Sequence, residues 1–388
     1  MIRPPLFTPR FLYLLFTITI FGLSWSSYLI LPKFLREELN AARDTIGYIA
    51  AIPGISAAVA APLIGRLLDR YGRQYFFTLG CLIVVGTSLA FLFVDRVGPL
   101  LYIAQAIQGL GFLVAFNAAS SLGADLAPPT RMAEALGIVG ASNLIMNAVA
   151  PSIAEEIASR ASWQHVFIFC AVIGGLATLL TFGLRDVQHA PQALEAPVNR
   201  RRAFMRPGLV SLYVGTIAFA FAFATLFNFH QPFALEAGIT EVKPFFIGYT
   251  ITAFSMRVFF GRLADRLGAL RVTTASLLAY AAVPSLLALL GPSKIGVVGA
   301  ALGITHGMLY PAMTAAVVER AGAALRGSAI TYMNGSFHLG MAAAGMVAGN
   351  IAERFGYTAA FVGASAVTLT GLLLVVSFRE PPYRESSP

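Results

Sequence analysis

The chain has little charge. Only 12% of its 388 residues are Asp, Glu, Lys or Arg, while 57% are hydrophobic; soluble domains carry about 25% charged residues. That imbalance excludes an ordinary water-soluble fold and points to a polytopic membrane protein. Cysteine is almost missing. Cys81 and Cys170 both fall in apolar stretches without ligand-type spacing, so neither a disulfide framework nor a cysteine-held metal is expected. No Ser-His-Asp or metal-hydrolase arrangement is recognisable, and no enzyme activity and no cofactor are expected. Gly109-Leu110-Gly111 lies inside an apolar run with no strand before it, which excludes a dinucleotide loop and leaves close helix packing. Carboxylates are lacking from mid-span positions as well: Glu155 and Glu156 come near the outer end of a span and Glu319 at the inner end of another.

The formal charge of +9 raises nucleic acid as a partner. No basic helix or aromatic platform accompanies it, so nucleic acid is not expected. The Lys and Arg residues instead concentrate in loops on the side of the N-terminus, beginning with Arg3 and Arg10 and including Arg200-Arg201-Arg202. That bias predicts a bacterial-type inner membrane protein with both termini cytoplasmic.

What is present is apolar and periodic. Twelve segments of about 20 residues or more are each long enough to cross a hydrocarbon layer of about 30 Å. A polar, proline-containing stretch over 185–207 breaks the chain at its midpoint. The expected organisation is an all-α membrane protein with a six-helix bundle over 1–184, a cytoplasmic linker over 185–207 and a second six-helix bundle over 208–388.

The chain also repeats itself. Gly65-Arg66-Leu67-Leu68-Asp69-Arg70-Tyr71-Gly72-Arg73 reads as a basic turn between the second and third spans, and Gly261-Arg262-Leu263-Ala264-Asp265-Arg266-Leu267-Gly268 returns 196 residues later with six of eight positions matching. Arg131 and Arg326, each just before an apolar helix, are 195 residues apart. Two parallel repeats follow.

Two six-span halves, a long central linker and a Gly-x-Leu-x-Asp-Arg-x-Gly turn in each half resemble the major facilitator superfamily of secondary transporters, over the whole chain. The resemblance implies that Asp69 and Asp265 act as gating latches: Asp69 against the start of span eleven near Arg326 and against arginines such as Arg73, Asp265 against the start of span five near Arg131. It further implies a central cavity lined partly by spans seven, eight, ten and eleven. Candidate substrate-binding residues there are His230 and Gln231 on span seven, Arg257 on span eight, His306 and Tyr310 on span ten, and Asn334 and His338 on span eleven. The first half adds Trp25, Tyr28, Asn117, Asn143 and Asn147. Asn143, Asn147 and Pro151 share one helix face by their four-residue spacing, and a mid-membrane amide needs a protein or cavity partner.

Arg257 is the central charge, and an arginine within a span is a functional candidate by default. Its four-residue spacing to Gly261 and Asp265 also allows a place in the latch. The sequence departs from the family where many proton-coupled members have an arginine in the fourth span, since Gln105 stands ahead of Gln108-Gly109. The glycine-rich fifth-span motif of antiporters survives only as Ala150-Pro151-Ser152-Ile153-Ala154-Glu155. The expected function is alternating-access transport of a small organic solute, an anion such as a carboxylate, by a lipid-embedded monomer, with His306 or His338 exchanging the coupling proton. Alternatives are a metal or metal-chelate carrier using His306 with Met308 and His338 with Met341, a drug or metabolite efflux pump, and a non-transporting sensor of the same fold.

Overall fold

The structure is a computed structural model that describes residues 5–128, 131–184, 206–260, 263–322 and 325–378. The linker expected over 185–207 lies outside these residues except for Arg206 and Pro207. Twelve membrane-spanning helical rods account for nearly all of the described chain, and no strand occurs among the described residues.

The first unit begins with α1 (Pro9–Ser26), a 3-10 turn over Ser27–Ile30 and α2 (Leu31–Glu37), which together form one rod of 29 residues. Thr8 caps the start, its hydroxyl accepting from the Phe11 N–H at 3.3 Å, and Pro9 follows where no N–H is needed. The tight turn has a local cause. Pro32 has no N–H to give to the Tyr28 carbonyl, so the Leu31 N–H takes that carbonyl instead and winds the helix by one residue. The other rods are α3 (Arg43–Tyr71), α4 (Arg73–Phe91), α5 (Pro99–Leu126), α6 (Met132–Arg160) and α7 (Trp163–Thr181).

In the second unit the rods are α8 (Pro207–Glu236), the pair α9 (Lys243–Phe260) and α10 (Leu263–Leu267), α11 (Ala269–Leu290), α12 (Ile295–Ala321), α13 (Arg326–Phe355) and α14 (Tyr357–Ser377). Helix α8 is buried on nearly every side, with Phe219, Phe223, Phe227 and Phe229 all in the interior. Eight of the rods are apolar enough to be recognised as spans on their own. The remaining four, α3, α6, α9 and α13, are rich in small and polar residues, as expected of helices facing protein more than lipid.

Compact units form from residues 1–41 with 55–192 and from 42–54 with 193–388. The expected division therefore differs over Ala42–Gly54, which takes in the first turns of α3. Gly47 lies against the backbones of Gly345 and Gly349 on α13, where a side chain would collide. Arg43 donates to both Glu236 carboxylate oxygens (3.1 and 2.6 Å) and to the Ala352 carbonyl (2.9 Å), and its backbone N–H reaches Glu353 at 3.0 Å.

The repeated turns are also corrected. Helix α3 runs on through Asp69 to Tyr71, and the break is confined to Gly72, whose φ of 95° no L-residue adopts readily. Its counterpart Gly268 has φ of 91° and likewise precedes a helix. In the first copy only Gly72 needs glycine's freedom and the residues before it are helical; in the second, Leu263–Leu267 are helical up to Gly268. Hydroxyls are mostly handled locally, as Thr17, Thr78, Thr178, Thr216, Thr225 and Thr305 each donate to the carbonyl four residues back at 2.8–3.1 Å.

Charge inside the first unit is handled by pairing. The Lys33 ammonium, 6% exposed, lies 2.7 Å from the Glu155 carboxylate, 4% exposed, with Glu37 at 3.8 Å. Removing one member of such a pair costs about 3–5 kcal/mol, whereas replacing both with apolar residues of similar size is often neutral. Lys33→Met or Glu155→Leu alone should therefore lower the melting temperature in detergent sharply, and the double variant should recover most of the loss. Additive losses would remove the pair from the stability of the unit.

The second unit relies on close helix approach. Gly299, Gly303 and Gly307 form a ridge on α12 against the α9 backbone at Phe245, Tyr249 and Ala253. A methyl group at Gly303 would strike the Tyr249 carbonyl and the Thr252 side chain. Gly303→Ala should cost about 1–3 kcal/mol by overpacking, read as a lower unfolding midpoint, while substitution of Gly363, where a methyl meets only the end of the Ile351 side chain at 3.8 Å, should not.

Candidate functional site

That ridge sets the geometry of the polar cluster in the second unit. With α9 and α12 in backbone contact, the Tyr249 hydroxyl comes within 2.7 Å of His306 Nδ1. Tyr249 is 1% exposed and His306 6%, so their mutual contact replaces water. One turn further along α12, the Tyr310 hydroxyl donates to Asn334 Oδ1 on α13 at 3.0 Å. Arg257 lies two turns after Tyr249 on α9. Its guanidinium acts electrostatically on Tyr249, His306 and Tyr310, its Nε is buried without a hydrogen bond, and no ion pair to it occurs among the described residues. Asp265, the acid that the sequence spacing offered it, lies outside the residues whose side chains are described.

Aromatic rings enclose the cluster. Phe223 is 5.0 Å from the His306 ring, Tyr310 5.9 Å and Phe219 6.2 Å, while Phe337 bridges Phe219, Phe223 and Tyr310 at 5.6–6.0 Å. His338 follows on the same helix, half-buried, with its ring near Phe337 at 6.2 Å. Burial strengthens electrostatic interactions, so the polar contacts inside this collar count for more than they would in water. Of the residues singled out from sequence, His306 and Tyr310 lie ring to ring, Tyr310 bonds to Asn334, and Arg257 acts on His306 and Tyr310, while His338 is placed only next to Phe337. Tyr249 and Phe223 were not singled out, because an apolar run conceals which of its rings face the polar cluster.

His230 and Gln231 are placed elsewhere. Both are fully buried and bond to their own helix, His230 Nδ1 to the Leu226 carbonyl at 2.7 Å and Gln231 Nε2 to the Phe227 carbonyl at 3.0 Å. The His230 ring stacks on Phe245 with centroids 3.8 Å apart. These contacts lie within α8 and against Phe245.

In the first unit the candidates form smaller groups. Trp25 stacks on Phe112 at 4.4 Å. The Tyr28 hydroxyl donates to Ser88 at 2.9 Å beside the buried Gln108 amide, and Asn147 Oδ1 accepts from Ser26 at 3.0 Å. Asn117 is half-buried on α5, and the Asn143 side chain lies outside the described residues. Cys81 and Cys170 are free and buried.

Of the gating residues, the side chains of Asp69, Arg70, Asp265 and Arg326, together with the surroundings of Gly65 and Gly261, fall outside the description. Arg73 pairs with Asp125 at the end of α5 and donates to the Ser121 carbonyl at 3.3 Å. Asp125 was not anticipated, since its distance of 52 positions from Arg73 hides the contact from local spacing. Arg131 is half-buried, and Arg266 and Gly268 are exposed.

Comparison with known proteins agrees with this architecture. The multi-drug resistance efflux pump PmrA homolog of Lactococcus lactis is 22% identical over 351 residues, covering 86% of this chain and 85% of that protein. Multidrug resistance protein MdtG of Dickeya zeae is 24% identical over 351 residues, covering 87% and 86%. A variant form of the nucleoside transporter NupG has the same fold, with a TM-score of 0.79 and 14% identity over 95% of this chain and all of that one. The family model described as Major Facilitator Superfamily matches residues 12–297 and 212–388, and the chain belongs to that family of membrane transporters.

Proposed function

We propose that the protein is a secondary transporter of a small organic anion, such as a carboxylate, working by alternating access. The observation that carries this reading is Arg257. A guanidinium held within a span, with a buried Nε left without a hydrogen bond and no ion pair among the described residues, has a standing requirement for negative charge. An anionic solute supplies it, and the surrounding rings supply contact for an apolar body. The same cation disfavours a bare metal ion as cargo. The names of the Lactococcus and Dickeya relatives support outward transport as the direction.

Further parts of the reading are topological and mechanistic. Both termini are cytoplasmic in an inner membrane, the protein acts as a monomer, and Asp69 and Asp265 latch the inner side. Reactivity of a cysteine placed at Ala193 toward an impermeant reagent added outside the cell would reverse the orientation. A non-transporting sensor would bind solute without moving it, so flux in proteoliposomes separates the two.

Replacing Arg257 with Gln should reduce binding and uptake of organic anions in proteoliposomes at least tenfold, the loss of about 1.4 kcal/mol or more expected when a charged hydrogen-bonding partner is removed. Equal transport by wild type and variant would sink the reading. Coupling is assigned to His338, which is half-buried and makes no hydrogen bond among the described residues. A histidine ring is cationic below its pKa, ordinarily about 6.5, so its attraction for an anion is present at low pH and lost as pH rises. Anion affinity should then increase from about pH 8 to about pH 6, and His338→Gln should flatten the profile.

A further inference from the structure

The Tyr249–His306 contact has a direction. Two neutral proton arrangements fit a hydroxyl 2.7 Å from Nδ1. In the first, Nδ1 carries the hydrogen and Tyr249 accepts it. The phenolic hydrogen then has no acceptor, and Nε2 is a lone pair with no donor, because His306 Nε2 has no hydrogen-bond partner and the buried Tyr280 hydroxyl makes no hydrogen bond either. Two polar groups are orphaned. In the second arrangement Tyr249 donates to Nδ1, and Nε2–H alone is left over. Each orphan in a site this enclosed bears its full desolvation cost, so the arrangement with one orphan is favoured over the arrangement with two. A doubly protonated ring fares worse than either. It would turn Nδ1–H toward the tyrosine, orphan the phenolic hydrogen and set a second cation near Arg257.

We infer that Tyr249 is a positioning residue that holds His306 as its neutral Nε2–H tautomer, making His306 a hydrogen-bond donor beside Arg257. The anion site then has two donors of different kind, one charged and one neutral, matching the two oxygens of a carboxylate. The Phe219, Phe223 and Tyr310 rings keep this donor away from water until a ligand arrives. A neutral donor does not depend on taking up a proton, which separates the part played by His306 from that of His338. The ligand half of this inference rests on the anion reading of Arg257. The tautomer half does not, since it concerns the ligand-free protein.

Two measurements test it. Nitrogen NMR of the full-length, ligand-free protein with labelled histidine, at about pH 7.5 and so above the ordinary histidine pKa, should show the His306 ring protonated at Nε2 with Nδ1 as acceptor. The signals are assigned by their loss in His306→Gln. Tyr249→Phe should move the ring toward a mixture of tautomers. Protonation at Nδ1 in the wild type, or an unchanged spectrum in Tyr249→Phe, overturns the assignment.

The second measurement is benzoate affinity by calorimetry. Tyr249→Phe should weaken it about tenfold, as loss of a hydrogen bond to a charged group does. A glutamine at 306 carries its own N–H donors where Nε2 stood and needs no tyrosine to orient a tautomer. In the His306→Gln background, Tyr249→Phe should therefore change affinity less than about twofold, within the error of independent sites. Equal losses in both backgrounds would show a merely structural tyrosine and overturn the donor role. Benzoate binding that is absent, or indifferent to Arg257→Gln, would fail the anion reading instead, and the spectra would still decide the tautomer.

Discussion

Two helices in backbone contact set the terms for the second unit. The Gly299, Gly303 and Gly307 ridge brings α12 against α9 at the level of Phe245, Tyr249 and Ala253. In lipid, association of helices gains little from the hydrophobic effect, so close van der Waals packing is the main attraction available. The same approach fixes what side chains can meet. A hydroxyl on α9 reaches a ring nitrogen on α12 only because nothing larger than hydrogen stands between the helix backbones. Without the ridge, His306 would lose its partner and the aromatic collar around it would have to repack.

Placing charge in hydrocarbon follows two different solutions here. Lys33 and Glu155 neutralise each other at 2.7 Å, and neither is available to a solute without giving up the other. Arg257 has the opposite character, since its buried Nε makes no hydrogen bond and no ion pair to it occurs among the described residues. Stability belongs with the first solution, and the anion reading proposed above rests on the second. A protein that neutralised Arg257 internally would gain stability and lose the unmet charge behind that reading.

Much of the architecture was legible from periodicity alone. The number of spans and the internal repeat follow from apolar length and from the offset between the two Gly-x-Leu-x-Asp-Arg-x-Gly copies. The motif itself misled in one respect: a glycine at each end suggested a turn throughout, whereas Gly65 lies within α3 and only Gly72 takes the positive φ. The site was partly legible. Arg257, His306, Tyr310 and Asn334 stand out because polar residues are rare in apolar helices. Tyr249 does not, because nothing in Ile247-Gly248-Tyr249-Thr250 distinguishes a tyrosine that bonds from one that packs. Pairs such as Lys33 with Glu155 and Arg73 with Asp125 join residues far apart in the chain, and only the tertiary fold brings them within reach. His230 is the converse case, a conspicuous polar residue whose Nδ1 bonds within its own helix and whose ring stacks on Phe245.

The self-contained hydrogen bonding of the threonines and of α8 bears on how the chain is made. Thr216, Thr225, His230 and Gln231 each bond to a carbonyl of α8 itself, so part of the polar capacity of this helix is met before any neighbour packs on it, while the buried Tyr213 hydroxyl and His230 Nε2 make no hydrogen bond. In the rod from Pro9 to Glu37 the ammonium of Lys33 has Glu37 at 3.8 Å on its own helix, but its closer carboxylate is Glu155 on α6, which is synthesised more than a hundred residues later. Through that interval Lys33 must reach up to the lipid headgroups to stay solvated, as lysine does near a helix end. The Lys33 end of the first rod therefore gains its closest carboxylate only once α6 has emerged.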